Sequence, residues 1–185
     1  MKLHSWFAAY APARPTLTRD WAGGEGWSPV AYDAECFFAS DPAELVPLAS
    51  IPVEEVLAYD ASHFFSPRET FLNAWLAQPA STGYALRRHG RLAGFGMRRP
   101  CLVGCKIGPL FADEAAAASL LLRVLLAAVP GQWVYLDAPE VNPGVAKLSA
   151  QFEMVEVFRT ARMHTQGPPT LSMDPIVGAT TLELG

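Results

Sequence analysis

Cysteine is scarce. The chain has 185 residues and three of them are cysteine, Cys36, Cys101 and Cys105. That odd, thin set is no disulfide framework, so the expectation is a reducing compartment and a cytoplasmic protein. Cys101 and Cys105 stand four apart, but no histidine pair lies near them at zinc-site spacing, and no metal is expected. Charge is thin too. Charged residues make up 17% and the net charge is −4, with no basic stripe and no run of lysines. The electrostatic footprint of a nucleic-acid-binding protein is therefore missing. A membrane-spanning run is also missing. The longest apolar stretch, 115–129, is interrupted by Arg123 and is shorter than a bilayer span, so it reads as a buried helix. The apolar stretch 6–11 is short, is followed by prolines and has no clear cleavage site, which makes a poor targeting peptide. No internal repeat is visible.

What is abundant is apolar surface to bury. Hydrophobic residues reach 51%, the balance of one packed domain. Residues 1–43 are the least readable part and are taken as helix or loop. The three glycines between Trp21 and Trp27 suggest a turn, and 32–40 has helical composition around Phe37 and Phe38. From Leu45 the pattern sharpens. The stretch 45–49 contains Pro47 and is at best an edge strand. Val53, Val56, Leu57 and Phe64 follow Pro52 at helical spacing. Ser66, Pro67 and Glu69 match N-cap, first helical position and capping box of a second helix. Residues 84–88 and 91–98 read as a hairpin around His89-Gly90, and 101–111 as a third strand. Gly104 and Gly108 mark a bulge or a close backbone approach there. A long helix then runs over 114–129 until Pro130-Gly131, with Leu121, Leu125 and Ala128 expected on one inward stripe. A strand at 133–136, a helix opened by Asn142-Pro143, and strands at 154–164 and 176–184 complete the order. The fold class is α/β: a mixed, mostly antiparallel central sheet flanked by helices.

These residues resemble the GNAT acyltransferase superfamily, which has this order of elements. In that family the fourth strand ends in a Pro-x-x-Arg-Gly-x-Gly-x-Gly/Ala loop, and the next helix begins on the cofactor pyrophosphate. Later comes an Asn-x-x-Ala-x-x-x-Tyr helix closing on Gly-Phe. Both patterns lie on this chain without a gap. Pro109 takes the loop proline, Ala112 the arginine position, Asp113, Ala115 and Ala117 the three glycine positions, and Leu120 and Leu121 the paired leucines. Asn142 matches, Ser149 holds the tyrosine position, and Glu153-Met154 holds Gly-Phe. Tyr59-Asp60, Pro67-Arg68, Ile107-Gly-Pro-Leu-Phe-Ala-Asp113, Asp137-Ala-Pro-Glu140, Thr160-Ala-Arg-Met163 and Thr181-Leu-Glu-Leu-Gly185 resemble the C-terminal half of two-domain GNAT proteins of the YitH type. Residues 44–185 thus read as a GNAT-like domain, and 1–43 as a remnant of the opening of the N-terminal one.

The resemblance implies transfer of an acyl group from acetyl-CoA to an amine of a small molecule or peptide. By motif position it places the cofactor at Ile107, Gly108, Leu110, Ala112, Asp113 and Asn142, and the acceptor near Tyr59 and Asp60. Asp137 and Glu140 follow the strand that splays from its neighbour in the family to admit the acyl chain, and carboxylates there can serve as general base. Two departures argue for a degenerate site. Asp113 can cap the helix itself and would repel a pyrophosphate, so acetyl-CoA is expected to bind weakly. Ser149 is far too weak an acid to replace the tyrosine that protonates the leaving thiolate. The alternative is a non-catalytic GNAT-like module that binds a ligand or regulates a partner domain. A third expectation is a homodimer that buries Trp21, Trp27, Phe37 and Phe38. No nucleic-acid or membrane partner is expected.

Overall fold

A computed structural model describes residues 4–12, 43–162 and 170–182. Its strands are β1 (His4–Pro12), β2 (Ala43–Pro47), β3 (Thr82–Arg88), β4 (Arg91–Pro100), β5 (Cys105–Ala112), β6 (Trp133–Pro139), β7 (Val155–Arg162) and β8 (Ile176–Gly178). Its helices are α1 (Val53–His63), α2 (Glu69–Leu76), α3 (Ala115–Ala127) and α4 (Pro143–Gln151). One sheet runs β2-β3-β4-β5-β6-β1-β7, and β8 pairs with β5 outside that path. Neighbours are antiparallel except β5 and β6. The fold class is the one the sequence implies.

The hairpin forms where expected, because His89 (φ 50°) and Gly90 (φ 73°) both take the left-handed conformation of a tight two-residue turn. With β2 at the sheet edge, Pro47 costs no inner ladder bond. Helices cover both faces. Leu120, Leu121, Leu125 and their neighbours on α3 share one core with Leu110, Leu136 and Leu148. On the other face Val56 of α1 and Leu72 of α2 pack with Phe95 and Phe111.

Several local expectations are corrected. The expected inward stripe of α3 is too narrow: Leu120, Leu121, Leu122, Val124, Leu125 and Leu126 are all buried, whereas Ala128 is half-buried. The helix lies between the sheet and α4, which leaves it little free surface. No capping box opens α2. It starts at Glu69 with Arg68 as N-cap and no side-chain cap, since a guanidinium only donates and cannot accept from helix N–H groups; the Arg68 side chain turns inward to α1. Residues 4–12, read as part of a helix or loop region, form β1 between β6 and β7. The last strand is short, three residues, and it joins β5. Trp21, Trp27, Phe37 and Phe38, on which the homodimer expectation rests, lie outside the described residues. Among the described residues no helix is long and apolar enough to cross a membrane, and no group of three or more His, Cys, Asp or Glu could hold a metal ion.

Candidate functional site

Two features of the sheet create the site. The first is the junction between β5 and α3. Backbone pairing carries β5 to Ala112, and Asp113 then turns with its N–H on Ala93 O at 3.0 Å. Helix α3 begins at Ala115 with Glu114 as N-cap, and no side chain caps it. This corrects the expectation that Asp113 caps the helix. Its carboxylate instead accepts a hydrogen bond from Tyr59 Oη at 2.7 Å, across from α1. Burial, then the bond to Asp113 and its charge, push the Tyr59 hydroxyl far above the usual phenol range. The bare first turn of α3 faces a groove of about 490 Å³ against α4. Ala115, Ala116 and Ser119 form one wall, Gly144, Lys147 and Gln151 the other, and Gln151 Nε2 donates to Ser119 Oγ at 3.0 Å. A bare helix N-terminus over a groove attracts an anion through its unpaired N–H groups and its dipole. The rim works against this, since Asp113 and Asp174 face a single Lys147, while Glu114 is paired with Arg88 at 2.6 Å.

The second feature is a parting of strands. β5 and β6 pair over Cys105–Ile107 and Val134–Leu136 only. Beyond that point the stretch 176–181 lies between them. Gly178 is in register with Leu110 and Ile176 with Phe111. Ala179 N–H reaches Asp137 O at 2.7 Å, and Ala112 N–H reaches Pro175 O at 2.9 Å.

The residues singled out from the sequence fall around these two features. Ala112 and Asp113 line the groove. Ile107 and Leu110 are fully buried in the core. Gly108 is pressed against the C-terminal segment, where a Cβ would collide with the carbonyl oxygens of Ala179 and Thr180; only glycine fits that approach. Asn142 lines the groove and caps α4, accepting from Gly144 N–H at 2.8 Å, and its amide donates to the carbonyls of Met173, Asp174 and Ile176. Asp60 is 2% exposed and forms a two-point ion pair with Arg68, at 2.8 and 2.7 Å. Tyr59 is half-buried and joins α1 to Asp113. Asp137 is buried and ion-paired with Lys106. Glu140 is exposed beyond β6 and accepts from Arg159 at 2.6 Å. Ser149 is buried in α4, and its hydroxyl makes no hydrogen bond among the described residues.

The sequence reading missed the residues that tie these parts together. Arg68 binds Asp60, donates to Thr180 Oγ1 at 2.8 Å and lies over the Phe64 ring at 4.1 Å. Trp75 Nε1 donates to Gly108 O at 3.0 Å. Lys106 carried one usable signal, a cation inside an otherwise apolar strand, which requires a partner when its neighbours are buried.

The acetyltransferase (GNAT) domain family matches residues 56–176. A holothin acyltransferase from Pseudoalteromonas sp. (strain SANK 73390) is 28% identical over 134 residues, 72% of this chain and 46% of that protein. Among solved structures, a protein assigned as an acetyltransferase from Pyrococcus horikoshii superposes with a TM-score of 0.60 at 21% identity, over 97% of this chain and 50% of that one. A GCN5-related N-acetyltransferase from Sphaerobacter thermophilus gives 0.52 at 12% identity, over 87% and 51%. At such identities the likeness concerns the fold. The chain spans about half the length of these relatives.

Proposed function

Since the chain belongs to the GNAT acetyltransferase family, we propose that it transfers an acyl group from acetyl-CoA to an amine of a small molecule or peptide. The observation that carries this reading is the uncapped first turn of α3 opening on the groove against α4. In that place the N–H groups of α3 would hold the donor's pyrophosphate, with Lys147 as the cation on the opposite wall. Residues 112–119 and 142–151 would hold the rest of the donor's nucleotide half. The acidic rim of Asp113 and Asp174 sets the affinity low. The similarity to a holothin acyltransferase supports acyl transfer as the reaction class. The coverage of about half of each relative is consistent with the two-domain, YitH-type resemblance, which belongs to this proposal. So does a cytoplasmic setting, in which acetyl-CoA is available.

In the reaction, the amine nitrogen attacks the thioester carbonyl, the carbon–sulfur bond breaks, the nitrogen loses a proton and the thiolate gains one. Asp137 and Glu140 are the carboxylates proposed to take the amine proton. Glu140 is exposed and ion-paired with Arg159, while the Asp137 carboxylate is buried and held by Lys106. Ser149 has no acidity suited to the thiolate, so that proton would come from solvent or from the acceptor.

A second reading, a binding or regulatory module without turnover, is favoured by one observation: the C-terminal segment fills the parting between β5 and β6. A thiol-release assay with acetyl-CoA and a panel of primary amines and short peptides separates the two. Amine-dependent thiol release, abolished in Glu140→Gln or Asp137→Asn, supports the transferase. Binding of acetyl-CoA without release for any amine supports the module.

A further inference from the structure

The stretch 173–181 sits where β5 and β6 part, and side chains of α1–α2 and α4 tether it near both ends. Asn142 grips its first half through three carbonyls, at 3.1, 2.8 and 2.9 Å. Arg68, itself fixed by Asp60, grips Thr180. Between these tethers the segment borrows main-chain partners that a regular sheet would give to a neighbouring strand: Ala112 N–H, Asp137 O, and the edge of β5 at Leu110 and Phe111. Ile176, Val177, Ala179, Thr180 and Thr181 are all buried. The groove at the start of α3 continues onto this segment, since Asp174 and Val177 line it beside Ala112 and Asn142. A donor whose phosphates lie at α3 and whose arm runs between β5 and β6 would meet residues 176–181 in its path.

We propose that residues 173–181 form a built-in strap that competes with the acyl donor's arm, and that donor binding displaces it. This rests on the reading of the chain as an acyl-CoA-dependent transferase. The strap accounts together for four observations that the reading alone leaves separate. Asn142, assigned to the cofactor by motif position, spends its amide on the strap. Arg68 and Asp60 form a buried pair that ends on a threonine of the strap. Gly108 is kept free of a side chain by the strap's carbonyls. The main-chain carbonyl of Asp137, a proposed base, accepts from Ala179 N–H and loses that partner when the strap leaves. The closed strap lowers donor affinity by the fraction of molecules in which the path is open.

Hydrogen exchange on the full chain tests this with two probes, acetyl-CoA and the phosphoadenosine diphosphate half of coenzyme A, which lacks the arm. Acetyl-CoA should speed exchange at the Ala179 and Ala112 amides, whose acceptors lie on or under the strap. The nucleotide half should bind and leave both unchanged. Thr180→Val keeps the shape and removes the bond from Arg68. It should tighten acetyl-CoA by about ten-fold, leave the nucleotide half unaffected, and be reversed by Thr180→Ser. Unchanged exchange at Ala179 in acetyl-CoA-saturated protein would overturn the strap while leaving the donor site standing. So would equal affinities for the two probes in both proteins. Failure of both probes to bind any of the three proteins would overturn the transferase reading and the strap with it.

Discussion

At the residue scale, Arg68 concentrates more structure than its place in the sequence suggests. Its guanidinium meets the Asp60 carboxylate at two points, reaches Thr180 and lies over Phe64, with 9% of the side chain exposed. Two charges removed from water are tolerated only as a pair. Arg68→Ala would leave the carboxylate of Asp60 buried and alone, and urea unfolding should show a loss of about 3–5 kcal/mol. Arg68→Met, which fills the space but leaves the same charge, should lose nearly as much. Tyr59 makes a pH-dependent contribution. Burial and Asp113 raise its hydroxyl above the usual phenol range, and burial also raises Tyr84. Above about pH 10 the unfolded chain gives up these protons and the folded chain keeps them. Stability is therefore complete below that pH and falls as pH rises past it. Thermal melts between about pH 9 and about pH 11 should show a steep decline in the native protein and a shallower one in Tyr59→Phe.

At the element scale, α3 is the centre of the fold, and the sequence made it legible by length, apolarity and the Pro130-Gly131 stop. Leu125 is fully buried, so Leu125→Ala should cost about 2–5 kcal/mol in a denaturant titration. The hairpin was legible for the same kind of reason: a two-residue turn leaves a local signature. What was not legible was set by distant partners. Arg68 pairs with Asp60, eight positions back, and Asp113 prefers Tyr59, 54 positions away, to the first turn of α3. Asn142 shows both kinds. Its cap of α4 was readable from Asn-Pro, but the grip of its amide on 173–176 was not. Asn142→Asp retains the cap acceptor yet turns a carboxylate toward three carbonyls. It should destabilise at least as much as Asn142→Ala, although aspartate is the better cap. A melting temperature for Asn142→Asp well above that of Asn142→Ala would show that the cap, not the grip, is what matters.

At the scale of the whole molecule, the candidate site depends on how the sheet is shared out. With β1 between β6 and β7, the last strand pairs with β5 at the parting from β6. No propensity in 176–178 announces that placement, because three residues fit any edge equally well. The family motifs located the start of α3 and Asn142, and the structure brings both to one groove. They gave no hint that the chain's own C-terminal stretch would lie beside it. On the proposed function this groove receives acetyl-CoA and the charge of Asp113 weakens the binding. Calorimetric titration of acetyl-CoA into the native protein and Asp113→Asn tests it most directly. Asparagine keeps an acceptor for Tyr59 and removes the charge from the helix start. Weak binding to the native protein is expected, and binding about two- to five-fold tighter to Asp113→Asn, the effect of about 0.3–1 kcal/mol for a charge at a helix terminus. Absence of binding to both proteins, or equal tight binding to both, would contradict it.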